Sequence, residues 1–190
     1  MTGLSEQEFL VLNGVHLKKM ATAKELASAV GLEVPVVEAV LNAAAGNDLL
    51  MVAEGKHLLL QDGTNAVQEY YRTVYGPMRS NDRVLEWYDR FETINEQFIK
   101  QVSEWQSTDG DERVQSRMIK TVERLTKNLQ ELTPLLPRYE IYVARFNASV
   151  TRVDQGDKDF VCKPTIDSVH NIWFEFHEDI LSVIGRPRDT

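Results

Sequence analysis

The sequence predicts a mainly α protein in two parts: a short helical domain closed by a small β-hairpin over 1–76, then an antiparallel helical bundle over 77–190. Three observations carry this. Capping residues and a helix-ending glycine punctuate short apolar stripes between positions 5 and 45, and two brief apolar runs then flank Glu54, Gly55 and Lys56. Gly76 and Pro77 interrupt the pattern, and all three Trp and most Phe lie beyond them. From there apolar residues recur every three or four positions along much longer segments.

Taken in order, Ser5 with Glu8 three residues on makes a capping box for a first helix whose apolar side is Phe9, Leu10, Leu12, Val15 and Leu17. Thr22 and Glu25 repeat the box for a short second helix with Leu26, Ala27 and Val30 on one face, which Gly31 ends in the left-handed conformation. A third helix over 34–45 begins with Pro35 in its first turn and buries Val37, Val40, Leu41 and Ala44; Gly46 and Asn47 stop it. Segments 49–53 and 57–61 read as a hairpin, and Asp62 and Gly63 lead into a helix over 65–75. In the second part, Asn81 or Asp82 opens a long helix to about 106, with Val84, Trp87, Tyr88, Phe91, Ile94, Phe98, Val102 and Trp105 as its stripe. After a polar loop a second helix covers 112–132, and Pro134 and Pro137 separate it from a third over 139–153. A loop over 155–163 precedes a fourth helix, opened by Pro164 and Thr165 and closed by Gly185. Four such helices with short connections pack most simply as an antiparallel bundle, with the aromatic stripe as core and as the surface for a homodimer.

Composition narrows the function. Apolar runs such as 58–60 fall far short of the roughly 18 residues a membrane span needs, and no charged-then-apolar leader opens the chain at Met1, so the expectation is a cytoplasmic protein with no membrane partner. The lone Cys162 excludes an intrachain disulfide and a cysteine-based zinc site and reads as an inert thiol. Net charge is -8, and residues 1–74 hold five basic side chains against nine acidic ones. A DNA-holding protein works chiefly by neutralising phosphates, so this balance opposes that use.

The pattern EL-A-x-x-x-G-L over 25–32, then V-x-x-x-L-x-x-A over 37–44 and the Leu49-Leu50 pair, resembles bacterial regulators of the MarR, PadR and GntR kinds. The segment LLLQDGTNAVQEYY resembles the strand-to-helix junction of the same families. The resemblance implies an N-terminal winged helix-turn-helix domain with a small β-wing, a transcriptional regulator, and a third helix entering the major groove. On that alignment the outward residues Glu33, Pro35, Val36, Glu38, Ala39 and Asn42 face bases, while Lys18, Lys19, Lys24, Lys56 and His57 reach the backbone. Two features depart from it: no Lys or Arg occurs between Lys24 and Lys56, and Asp48 stands where these families commonly have glycine.

Polar chemistry concentrates in the last helix. Asp167, His170 and His177, with Glu178 beside them, lie near one face, but His170 and His177 span about 10 Å of helix, too far for one ion, so no metal is assigned. Tyr142 and Arg145 are placed opposite as an anion pocket, making Tyr142, Arg145, His170 and His177 the candidate residues for a small-molecule effector. No phosphate loop, GxSxG, HExxH or Cys/His pair is present, so the reading is of a protein that is not an enzyme and needs no cofactor. The alternative is an accessory module that docks its winged helix on a protein or enzyme partner. The segment FEFHEDIL over 174–181, which resembles helical segments of bacterial phosphoenolpyruvate-utilising proteins, belongs with that alternative.

Overall fold

A computed structural model describes residues 3–187, so the leader expectation at Met1 falls outside them. Among these residues the protein is mainly helical with one two-stranded antiparallel sheet, and no single helix is long and apolar enough to cross a membrane. Its contacts define two compact units: one runs to Ser80 and takes in the residues from Glu178 onward, and the other is Asn81–His177. The division at 76/77 read from the sequence leaves the stretch from Glu178 in the second part, whereas packing joins it to the first.

In the first unit, α1 (Glu6–Lys18) and α2 (Ala23–Val30) each begin with the capping box expected, Ser5 with Glu8 and Thr22 with Glu25. Gly31 ends α2 with φ 70°, and α3 (Val34–Gly46) starts with proline in its first turn. The hairpin pairs β1 (Leu50–Ala53) with β2 (Lys56–Leu59), and its two turn residues, Glu54 and Gly55, both have positive φ. That is the twist a two-residue hairpin turn requires. On the other side of β2, Ala21 bridges His57 through two backbone hydrogen bonds, so the segment before α2 adds a third position to the sheet.

The next helix, α4 (Gln61–Thr73), begins four residues before the expected 65. Gly63 lies inside its first turn, and a Cβ there would overlap the Leu49 carbonyl oxygen. This glycine permits close approach of the helix to the hairpin backbone; it does not mark a boundary. Phe9 of α1 stacks on Tyr70 at 4.0 Å and meets Tyr71 edge-on at 5.1 Å, fixing α4 to α1. Behind these rings Tyr71 Oη donates to Asn13 Oδ1 at 3.0 Å, and Asn13 Nδ2 donates to Oδ2 of the fully buried Asp179 at 3.4 Å. A short 3₁₀ turn, Gly76–Ser80, ends the first stretch of this unit.

The second unit holds α5 (Asp82–Ser107), α6 (Glu112–Leu129), α7 (Glu140–Asp154), the single turn α8 (Asp159–Cys162) and the beginning of α9 (Val169–Ile184). Cross-helix bonds show the directions. Gln101 accepts from Thr121, Gln97 from Arg124, and Glu131 from Arg90, so α5 and α6 run antiparallel. Phe98 meets Trp173 and Phe91 meets His177, so α9 runs antiparallel to α5; Phe146 against Trp173 and Tyr142 against Phe176 give the same for α7 and α9. The core is aromatic. Phe98 and Trp173 stack at 3.8 Å, and Phe176 sits edge-on to Trp87, Phe91, Tyr139 and Tyr142.

Three boundaries differ from expectation. Helix α6 ends at Leu129 because Leu132, Leu135 and Leu136 continue in turns ahead of Pro137, although Leu132 stays buried. The expected loop over 155–163 contains α8, held where Ser149 Oγ donates to the Phe160 carbonyl. Helix α9 starts at Val169, with Asn171 Nδ2 donating to the carbonyls of Lys163 and Ile166 and so gathering 163–168 into turns.

Candidate functional site

In the first unit the candidate residues lie on α1, α2, α3 and the hairpin. The Thr22 amide donates to the Glu25 carboxylate at 2.7 Å. That hydrogen bond, the Thr22 hydroxyl and the nearby Lys56 and Lys18 ammonium groups outweigh burial and hold the Glu25 carboxyl below its ordinary range. Lys18 and Lys56 thus act on the charge of Glu25, and Lys24 is exposed beside it in sequence. The backbone of His57 pairs with Ala21, and its Nδ1 lies 3.3 Å from the Ala21 carbonyl oxygen. On α3, Pro35, Ala39 and Asn42 are exposed and Val36 is half-buried, with the exposed Glu33 and Glu38 on the same helix start. Asp48 has φ 56°, a conformation that glycine adopts at no cost and aspartate tolerates. The hairpin exposes Met51 and Val52 at 46% and 53%.

In the second unit the last helix and α7 come together at Arg145. The side chain is 6% exposed, its Nε and Nη2 donate to Asp167 at 2.9 and 3.0 Å, and Nη2 also donates to Glu175 at 2.6 Å. Burial opposes the guanidinium charge, but Glu175 and Asp167 outweigh it and raise its pKa above the ordinary arginine value. The anion pocket expected from Tyr142 and Arg145 is thus filled from within by two carboxylates, and Tyr142 is buried against Phe176 and beneath the same guanidinium. His170, half-buried, lies beside Phe98. His177 is 8% exposed, with Nε2 at 3.3 Å from Tyr88 Oη and 3.5 Å from Glu92 Oε1. The two histidines therefore have separate neighbours, and among the described residues no three His, Cys, Asp or Glu side chains converge as a metal-ligand set. Burial pushes the Cys162 thiol up to about 11.

Sequence reasoning missed Glu175, although its signal was present: with Asp179 it interrupts the apolar stripe of Ile172, Phe176 and Val183. It also missed a cavity of about 200 Å³ between the beginning of α5 and the turns after α6, lined by Arg83, Glu86, Trp87, Arg90, Glu131, Leu132 and Leu135. The spacing of Arg83, Glu86 and Arg90 reads as a solvated helix face until Leu132 and Leu135 are brought against it. Comparison of the chain with protein-family models, curated proteins and solved structures gives no significant match.

Proposed function

We propose that the chain is a DNA-binding regulator whose first unit is a winged helix and whose helical unit pairs with a second copy. The observation that supports this reading is the grouping of Lys18, Lys24 and Lys56 about the start of α2, in a unit ordered as helix, bridge, helix, helix, hairpin, helix. In that arrangement the lysines contact phosphates, Asn42 pairs with an adenine edge, and the methyl of Ala39 packs on a thymine methyl.

A salt titration against a randomised duplex pool tests it. Three phosphate contacts per protomer give a slope of log K against log salt of about -3, and a dimer about -5. Lys24→Glu or Lys56→Glu flattens that slope. Binding that is absent at low salt with a folded protein, or that ignores both substitutions, overturns the reading.

A second reading is favoured by the exposed Met51 and Val52 and by Glu33 and Glu38 on α3: the same unit docks a protein with a basic, apolar surface. Under it Met51→Lys abolishes partner capture, and the lysine substitutions leave capture intact.

A further inference from the structure

We infer that the cavity at the beginning of α5 is a binding site for a free α-amino acid with an apolar side chain. Arg83, Glu86, Trp87 and Arg90 follow one another at i, i+3, i+4 and i+7 on α5, so they share one side of the helix. Glu131, Leu132 and Leu135, from the turns after α6, form the opposite wall.

The charges in the lining are balanced but not equally engaged. Arg90 and Glu131 close on each other at 2.7 Å across the cavity. Arg83 and Glu86 have no hydrogen-bond or ion-pair partner among the described residues, so one guanidinium and one carboxylate are left to face the space. A simple anion would meet the carboxylates of Glu86 and Glu131, and a simple cation would meet the two guanidinium groups. A zwitterion satisfies both free groups at once, its carboxylate on Arg83 in the fork geometry arginine offers and its ammonium on Glu86.

The floor decides the rest of the ligand. Trp87 is nearly buried, its Nε1 already donates to the Asn128 carbonyl, and Leu132 and Leu135 complete an apolar base. The indole has no free polar atom, and with Trp87 2% and Leu132 1% exposed the half-buried Leu135 is the apolar surface that meets the ligand's side chain. At about 200 Å³ the space is below the roughly 300–1,000 Å³ of sites for drug-sized ligands, which excludes nucleotides and leaves room for one small molecule.

This inference goes beyond the DNA reading and does not rest on it, because the binding is measured without nucleic acid. Calorimetric titration of the full chain with leucine, phenylalanine and aspartate is compared with leucinamide, which lacks the carboxylate, and N-acetylleucine, which lacks the ammonium. The apolar amino acids bind with millimolar or tighter affinity, and both blocked ligands bind at least about tenfold more weakly, the value of one charge-assisted contact. Arg83→Gln removes the preference for leucine over leucinamide, and Glu86→Gln removes the preference over N-acetylleucine. Both side chains are exposed, so the variants fold, and far-ultraviolet circular dichroism checks this. Absence of binding by every amino acid at millimolar concentration overturns the inference. So does equal binding of leucine and its two blocked forms.

Discussion

Replacing Arg145 with methionine removes the guanidinium that pairs with both Asp167 and Glu175. Glu175 is then left in a site where its side chain is 8% exposed, and Asp167, at 29%, faces it without the intervening guanidinium. Removing one member of a buried ion pair costs about 3–5 kcal/mol, because the remaining charge loses its partner without regaining water. Against a domain stability of about 5–15 kcal/mol this is a large fraction. With a urea dependence of about 2 kcal/mol per molar, the unfolding midpoint of the helical unit falls by about 1.5–2.5 M. Tryptophan fluorescence follows this unit selectively, since Trp87, Trp105 and Trp173 all lie in Asn81–His177. Pairing Arg145→Met with Glu175→Leu replaces the charges by apolar volume and restores stability to within about 1 kcal/mol of the starting value. A single variant as stable as the parent, or a double variant no better than the single, refutes the assignment of Arg145 as an internal strut.

Thr22→Ala removes the hydroxyl that caps α2 and leaves the Glu25 half of the box alone, lowering stability by about 1 kcal/mol in thermal or urea unfolding. Gly63→Ala drives a methyl into the Leu49 carbonyl and lowers stability by about 1–3 kcal/mol, whereas the same change at Gly46, where a Cβ meets nothing within 4 Å, is far milder. His16 has its pKa lowered, by burial first and by Lys19 second, with Glu178 and Asp179 acting in the opposite direction. The unfolded chain therefore binds the proton more readily, so this residue's contribution to stability is full above pH 6.5 and declines as pH falls below it. His16→Gln loses less stability than the parent between neutral and mildly acid pH, and parallel curves for the two proteins contradict the assignment.

The helix starts that were legible in the sequence are those written in local hydrogen bonds. Ser5 with Glu8 and Thr22 with Glu25 name their own caps, Gly31 marks the end of α2, and of the two candidates Asn81 and Asp82 it is Asn81 that caps α5. What could not be read depends on distant partners. Gly63 reads as a breaker until Leu49 is seen against it, and the start of α9 is set by Asn171 reaching back to Lys163 and Ile166 rather than by Pro164. The sequence places Arg145 opposite the last helix as part of an anion pocket, but does not reveal that Asp167 and Glu175 of this chain occupy its guanidinium. Nothing in the spacing of His170 and His177 distinguishes a ring lying on Phe98 from one between Tyr88 and Glu92.

The hydrogen bond from Asn13 to Asp179 joins residues 166 positions apart in the chain. A growing polypeptide therefore emerges from the ribosome with α1 to α4 long before the segment that satisfies Asn13 exists. Until Glu178 and its successors arrive, that part of the protein holds an incomplete interior with a polar group awaiting its acceptor. Contacts between residues so far apart in sequence form late and slow folding. Removing the last turns of α9 would thus be felt first at the opposite end of the sequence, where amide exchange in α1 would report it.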